Sequence, residues 1–389
     1  MQRVPLAWAQ MRTERNRLLA GLAGISFAIV LIFMQLGIQA ALFDSSVQLH
    51  KILQADVVLI SPRSTSLIAM RKFSQRRLVQ AMSFDEVDFV CPLYLGFAQW
   101  QNPTHPRYWR NIHIIGFDIR HPIFKLPSLS DPASQLSYPD VVLFDTASRP
   151  EYGPIKDLLL AGKTVTTEID NLSTGSRSVT VVNRFRMGTS FGIDGNLITS
   201  HLNFLRLFPQ RQPGLIEVGL IRLKPGADPT DFQRRLRAGL PGDVDVLTMQ
   251  EWIAFEKHYW TTSTAIGFIF ALGVAMGLMV GIVIVYQILY TNITQHLPEF
   301  ATLIAMGYTN KYFLGLILRQ SLFLALMAYI PGYLVTEGLY FATRKSTLLP
   351  VGMTLPRALF VFVLTLFMCS FSGLIATRKL RDADPVDIF

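Results

Sequence analysis

The chain has 389 residues, is 50% apolar and carries a formal charge of +9. Length alone allows about two or three soluble domains, but the apolar residues gather in four long runs near the two ends, around a middle of ordinary globular composition. Cys91 in the middle and Cys369 inside the fourth run exclude an internal disulfide framework, and the positive balance belongs to the edges of membrane helices rather than to nucleic-acid binding.

A bilayer span needs about 20 mostly apolar residues. Residues 1–17 read as a cytoplasmic segment, with Arg3, Arg12, Arg15 and Arg17 ahead of the first run at 18–43. A signal peptide has an apolar core of only about 7–15 residues, so this longer run reads as a retained helix entering from the cytoplasm. Residues 44–260 then form one outer domain. Within it, Ala55–Pro62 reads as a strand, Met70–Met82 as a basic amphipathic helix and Tyr108–Phe117 as a strand. Residues 118–213, rich in Pro, Gly, Ser and Asp, read as an inserted β-rich subdomain. A strand follows at Leu215–Leu223, with a turn at Lys224–Gly226. The next helix has Asp228 as N-cap, Pro229 at its first position, and Phe232, Leu236 and Leu240 on one face. Pro241 and Gly242 stop it, and Asp243–Met249 is another strand. Two β-α-β-like pieces thus bracket the insertion.

The segment Gln250–Thr264 carries Trp252, Phe255, Glu256, Tyr259 and Trp260. It reads either as a helical extension of the next span or as an aromatic interface belt. Further spans are expected at 266–290, 312–341 and 359–375. A cytoplasmic loop at 291–311 and a short outer loop at 342–358 connect them, and 376–389 returns to the cytoplasm with Arg378, Lys379 and Arg381. Arg344, Lys345 and Arg357 run against that orientation, but the overall Lys/Arg count places both termini inside. The expected fold is an α-helical membrane protein with four transmembrane helices plus an α+β outer domain.

Gly273, Gly277 and Gly281 fall at i, i+4 and i+8, on one face of the second span. Such a stripe lets another helix backbone approach closely in lipid, either the first span through Ala20 and Gly24 or the same helix of a second copy. In the inner loop, Pro298 can start a short helix, Phe300, Leu303 and Ile304 give it an apolar patch, and Gly307 can end it. Such a patch fits docking onto a partner better than resting on membrane lipid, because the segment is too short for strong interfacial binding. Arg319 and Glu337 lie in the third span away from its midplane, where they do not form a proton relay, and Pro331–Gly332 is expected to kink that helix.

Several chemistries are rejected. Gly162-Lys-Thr164 lacks the first glycine of a P-loop, since Asp157 stands there, and a strand-like run follows it. Spaced by eight, each of His105, His113 and His121 would stand about 27 Å from the next along a strand, too far to share a metal. No Cys/His cluster or nucleophile elbow is present, and Asp194-Gly-Asn196 reads as a turn. No cofactor or metal is therefore expected, and any ATP is hydrolysed by another chain.

The layout of one span, a large outer domain and three further spans resembles the permeases of the MacB and FtsX superfamily. Among them it is most similar to the DevC-type permeases of cyanobacterial heterocyst exporters. The carrying segments are Leu22–Phe27 with Met34–Gly37, Ala41–Ser45, Leu59–Pro62, Arg149-Pro-Glu-Tyr-Gly-Pro154 and Phe191-Gly-Ile-Asp-Gly-Asn-Leu-Ile198. Further on come Gln287–Thr291, His296–Thr302, Ala305–Tyr308 and the terminal Asp384–Phe389. The resemblance implies a homodimer, with each copy bound to an ABC ATPase subunit. It implies an ATPase-coupling helix at His296, Leu297, Pro298, Glu299, Phe300, Leu303, Ile304, Met306 and Gly307. It also implies a periplasmic domain with porter-like and inserted parts that engages a membrane-fusion adaptor and, through it, a TolC-like outer-membrane channel. The cargo implied is a glycolipid or other amphiphile, and the whole would sit in the inner membrane. The alternative within the superfamily is a lipoprotein-release or FtsX-like permease that regulates a periplasmic partner.

Overall fold

A computed structural model describes residues 15–125, 132–171, 175–190, 192–296, 302, 306, 308 and 310–381. The chain divides into a helical unit and a mixed α+β unit, the latter spanning Leu42–Thr264 with Leu348–Pro350.

The helical unit is built on α1 (Arg15–Ser46) and three helices that follow the α+β unit in sequence. All four contain stretches long and apolar enough to cross a membrane: Leu19–Ser46, Ala265–Gln295, Tyr312–Thr347 and Leu355–Thr377. Its core joins Ile25, Ile29 and Phe33 of α1 to Val285, Ile317, Leu324 and Met368 of the others. Hydrophobicity drives no association between helices in lipid, so packing and polar contacts hold them together. The Ser26 hydroxyl donates to the Ala328 carbonyl at 2.9 Å, and the Tyr340 hydroxyl to that of Phe33 at 2.5 Å. The Ser372 hydroxyl donates to the Ile282 carbonyl at 2.9 Å.

In the α+β unit, α2 (Gln48–Ile52) precedes β1 (Val57–Ile60), β2 (Phe73–Ser74), α3 (Arg76–Ala81) and the long hairpin β3 (Val87–Asn102) and β4 (His105–Phe117). Next come α4 (Pro132–Leu136), β5 (Val141–Asp145), α5 (Ile155–Leu160), β6 (Val165–Asp170), β7 (Ser176–Phe185), β8 (Asn196–Ser200) and α6 (His201–Leu207). The unit closes with β9 (Leu215–Ile216), β10 (Val218–Leu223), α7 (Pro229–Gly239), β11 (Asp245–Thr248) and α8 (Met249–His258).

Strands β11-β1-β10-β3 lie side by side in that order, all antiparallel. With α3 and α7 they make the interlocked β-α-β-β-α-β arrangement. All of β1 is buried, because helices cover both faces of this sheet. Leu78 of α3 with Phe232 and Leu236 of α7 pack in the cluster on one face, and Trp252 of α8 with Leu49 and Leu53 in the cluster on the other. Asp228 caps α7, its carboxylate accepting from the Thr230 amide at 3.0 Å, and Pro229 follows as expected.

The same sheet continues β3-β4-β8-β5-β7-β6, and β6 returns to β3 through Gln99–Asp170 and Trp100–Ile169. Six strands therefore close into a ring, which leaves no free edge there. The strands after residue 117 do not form it alone. The distal part of β3 and all of β4 complete it, so one 16-residue strand, β3, belongs to both halves of the domain.

Three local expectations are corrected. Met70–Met82 is not one helix: Phe73 pairs with Ile216 and is buried, so only Arg76–Ala81 is helical. Trp252 and Trp260 do not form an interface belt but are buried, at 0% and 7% exposure. Nor is Gln250–Thr264 one rod with the second span. Tyr259–Ser263 forms a π-turn, Thr264 is extended at φ −122° and ψ 156°, and α9 (Ala265–Gln295) starts afresh.

Candidate functional site

The remaining two helices are α10 (Asn310–Thr347) and α11 (Leu355–Arg381). Between α9 and α10 lies the loop expected to dock a partner. Of its singled-out residues, Leu297, Pro298, Glu299, Phe300, Leu303, Ile304 and Gly307 lie outside the described residues. The His296 amide donates to the Asn292 carbonyl at 3.2 Å and so closes the last turn of α9. The Met306 amide donates to the Thr302 carbonyl at 3.1 Å, the i to i+4 bond of a helical turn. Met306 is 63% exposed, and Tyr308 is exposed while its ring rests on Tyr312, 4.9 Å between centroids. Met306 and Tyr308 are therefore exposed at the end of this loop.

The glycine stripe of α9 lies against α1. A methyl at Gly277 would stand 2.9 Å from the Ile32 side chain, one at Gly273 would meet Gln35, and one at Gly281 would meet Met368 and Ala28. From the other side, a methyl at Gly24 would stand 2.9 Å from Ile284, and one at Gly21 would stand 2.8 Å from Ile288. Ala20 is corrected: it is exposed, and Gly21 takes the place expected of it. The phase explains this, since residues 21, 24, 28, 32 and 35 follow the 3.6-residue period and residue 20 stands about 100° off it.

Pro331 stays within the unbroken span of α10. Its neighbour Gly332 is where α10 packs closely on α1, because a methyl there would stand 3.0 Å from Ile29 and 3.3 Å from the Ser26 carbonyl. Arg319 is exposed, Glu337 is half-buried, and no ion pair joins them among the described residues.

In the α+β unit the three histidines have separate surroundings. His105 is exposed at the start of β4, and His121 stacks on Phe89 at 4.7 Å. His113 is buried, with its Nδ1 3.3 Å from Asn196 Oδ1, and burial lowers its pKa to about 4. Asn196 in turn donates to the buried Asp145 carboxylate at 3.0 Å, which also accepts from the amides of Ala147, Met187 and Gly188. Four donors satisfy this carboxylate without a counter-ion. His50 is packed on Trp252 at 4.0 Å, and burial lowers its pKa to about 3.

Two segments that carried the resemblance meet here. The Arg149 guanidinium donates to Asp194 at 2.6 Å, and Arg110 reaches the other oxygen of that carboxylate at 3.0 Å. The Tyr152 hydroxyl donates to the Asn111 carbonyl, and its ring fills the space a side chain at Gly195 would need. Together these contacts form a clasp holding the ring of strands. Sequence reading missed this clasp and the Arg211–Glu217 ion pair, 2.6 Å long and largely buried. Its partners are only six positions apart, and no periodic pattern marks either residue.

No curated protein matches this chain. The periplasmic region of MacB from Actinobacillus actinomycetemcomitans is similar at 10% identity, covering 51% of this chain and 91% of that one with a TM-score of 0.35. The extracellular domain of the noncanonic ABC-type transporter YknZ from Gram-positive bacteria is similar at 12% identity, covering 50% of this chain and 99% of that one with a TM-score of 0.33. Residues 269–385, which span α9, α10 and α11, match the family model described as FtsX-like permease C-terminal.

Proposed function

We propose that this chain is the membrane subunit of an ABC-type exporter, working as a homodimer in the inner membrane with its large domain in the periplasm. The observation that carries this reading is the FtsX-like permease match at 269–385, a segment that includes a loop with exposed Met306 and Tyr308 between two membrane helices. A separate ABC ATPase docks on that loop through the patch of Phe300, Leu303 and Ile304, and this chain hydrolyses no ATP itself. Closure of the ATPase pair moves the loop, and the membrane helices pass the motion to the outer domain. Of the first two spans, α1 runs unbroken from Arg15 to Ser46, whereas the second follows an interruption at Thr264. The outer domain then drives an amphiphilic cargo toward a membrane-fusion adaptor and a TolC-like channel.

The test replaces Leu303 with Asp and measures both ATPase co-purification and export in cells. A charge in an apolar docking patch leaves it unpaired on burial. The variant is expected to insert normally, lose at least about tenfold in ATPase recovery, and stop exporting. Unchanged recovery together with normal export overturns the docking role.

A further inference from the structure

Residues 57–84 hold five Lys/Arg and no Asp or Glu. Arg77 is engaged by Asp243 at 2.9 Å, but Arg63, Arg71 and Lys72 are exposed and have no ion-pair partner among the described residues. All three line a groove of about 660 Å³, together with Pro62, Met70 and Phe73. The one acid on that groove, Asp243, is the partner of Arg77, so the surface facing the groove is left cationic.

The groove is held open in advance of any ligand. Ser64 accepts from the Arg71 amide at 3.0 Å, and its own amide donates to Ser61 at 2.9 Å. The Leu67 amide donates to Glu256 at 2.7 Å, in the last α-helix before the second membrane span. Phe73 is fixed by its pairing with Ile216. Such pinning lowers the ordering cost of binding.

We propose that this groove binds the phosphate-bearing headgroup of an anionic amphiphile. Two guanidinium groups and an ammonium suit a phosphate, which Arg binds in a two-pronged fork. The volume lies within the range of about 300–1,000 Å³ typical of small-molecule sites. Pro62, Met70 and Phe73 add an apolar lining beside the cations, suited to the carbon framework next to a headgroup and wasted on a free inorganic ion. The site stands whether or not the chain couples to an ATPase.

The test uses the full chain in a neutral detergent and titrates dihexanoyl phosphatidylglycerol by calorimetry. Parallel titrations use dihexanoyl phosphatidylcholine, glycerol phosphate and a glutamate-rich peptide. Saturable binding of the anionic lipid is expected, weakening as NaCl rises from about 50 to 500 mM. The triple variant Arg63→Gln, Arg71→Gln, Lys72→Gln should bind at least about tenfold more weakly. The single reversal Arg71→Glu should weaken binding in the same direction. The pair Lys156→Gln, Lys163→Gln, exposed elsewhere on the domain, should bind as the wild type does. Equal affinity for phosphatidylcholine, tighter binding of glycerol phosphate or of the acidic peptide, or an unaffected triple variant would each overturn the proposal.

Discussion

Glu256 is 1% exposed, and both of its carboxyl oxygens are occupied: one accepts from the Leu67 amide at 2.7 Å, the other from the Trp260 indole at 2.8 Å. Two neutral donors do not offset the loss of water, and burial pushes the carboxyl up from 4.5 to about 7. The folded chain therefore binds the proton more tightly than the unfolded chain, so this group's contribution is fully present below about pH 4.5 and is lost as pH rises through 7. His50 and His113 have the opposite sign. Their folded values of about 3 and about 4 lie below 6.5, so they cost stability as pH falls from 6.5. Glu256→Gln separates the two effects. It leaves one donor facing the amide nitrogen, which costs about 1–3 kcal/mol, and it abolishes the Glu256 share of the slope. Thermal melts of the full chain in detergent should show the variant less stable than the wild type at pH 5, with the gap between the two narrowing as pH rises to 8. An identical slope in both proteins would refute the assignment.

At the scale of elements, glycine divides into positions that touch another helix and positions that touch nothing. Gly277 and Gly281 of α9 have neighbours where a side chain would go, while Gly315 and Gly338 of α10 have none within 4 Å. Gly277→Ile should force α1 and α9 apart, an overpacking that costs about 1–3 kcal/mol, and should lower the melting temperature in detergent. Gly315→Ala and Gly338→Ala should be neutral or slightly stabilising, because Ala is the better helix former. If all three variants melt alike, the stripe is not a packing surface. These helices were legible because an apolar run of span length and a four-residue glycine repeat are local signals. Asp228 and Pro229 were legible for the same reason, since a cap is a property of neighbours in sequence. What escaped was non-local. Nothing near Phe73 announces that it pairs with Ile216 instead of joining a helix, or that Trp100 pairs with Ile169 to close a ring. The face of α1 was misread by one residue because Ala20 and Gly21 are equally small, and only the phase of the whole helix separates them.

For the molecule as a whole, the functional reading depends on which side of the membrane each part occupies, and the two cysteines make that measurable. Both native thiols are buried, and burial pushes that of Cys91 up to about 12, so almost none of it is the reactive thiolate at neutral pH. The wild-type chain should accordingly take up little of a membrane-impermeant maleimide, which leaves a clean background for introduced cysteines. Lys156 lies exposed at α5 in the α+β unit, and Met306 lies exposed in the loop between α9 and α10. With the Arg-rich start and the Arg378–Arg381 cluster held in the cytoplasm, Lys156→Cys should label in intact spheroplasts. Met306→Cys should label only after the membrane is permeabilised. The converse pattern would put the large domain in the cytosol, on the side where ATP is available. It would remove an outer domain able to meet an adaptor, and it would leave the exposed loop on a face that no ATPase can reach.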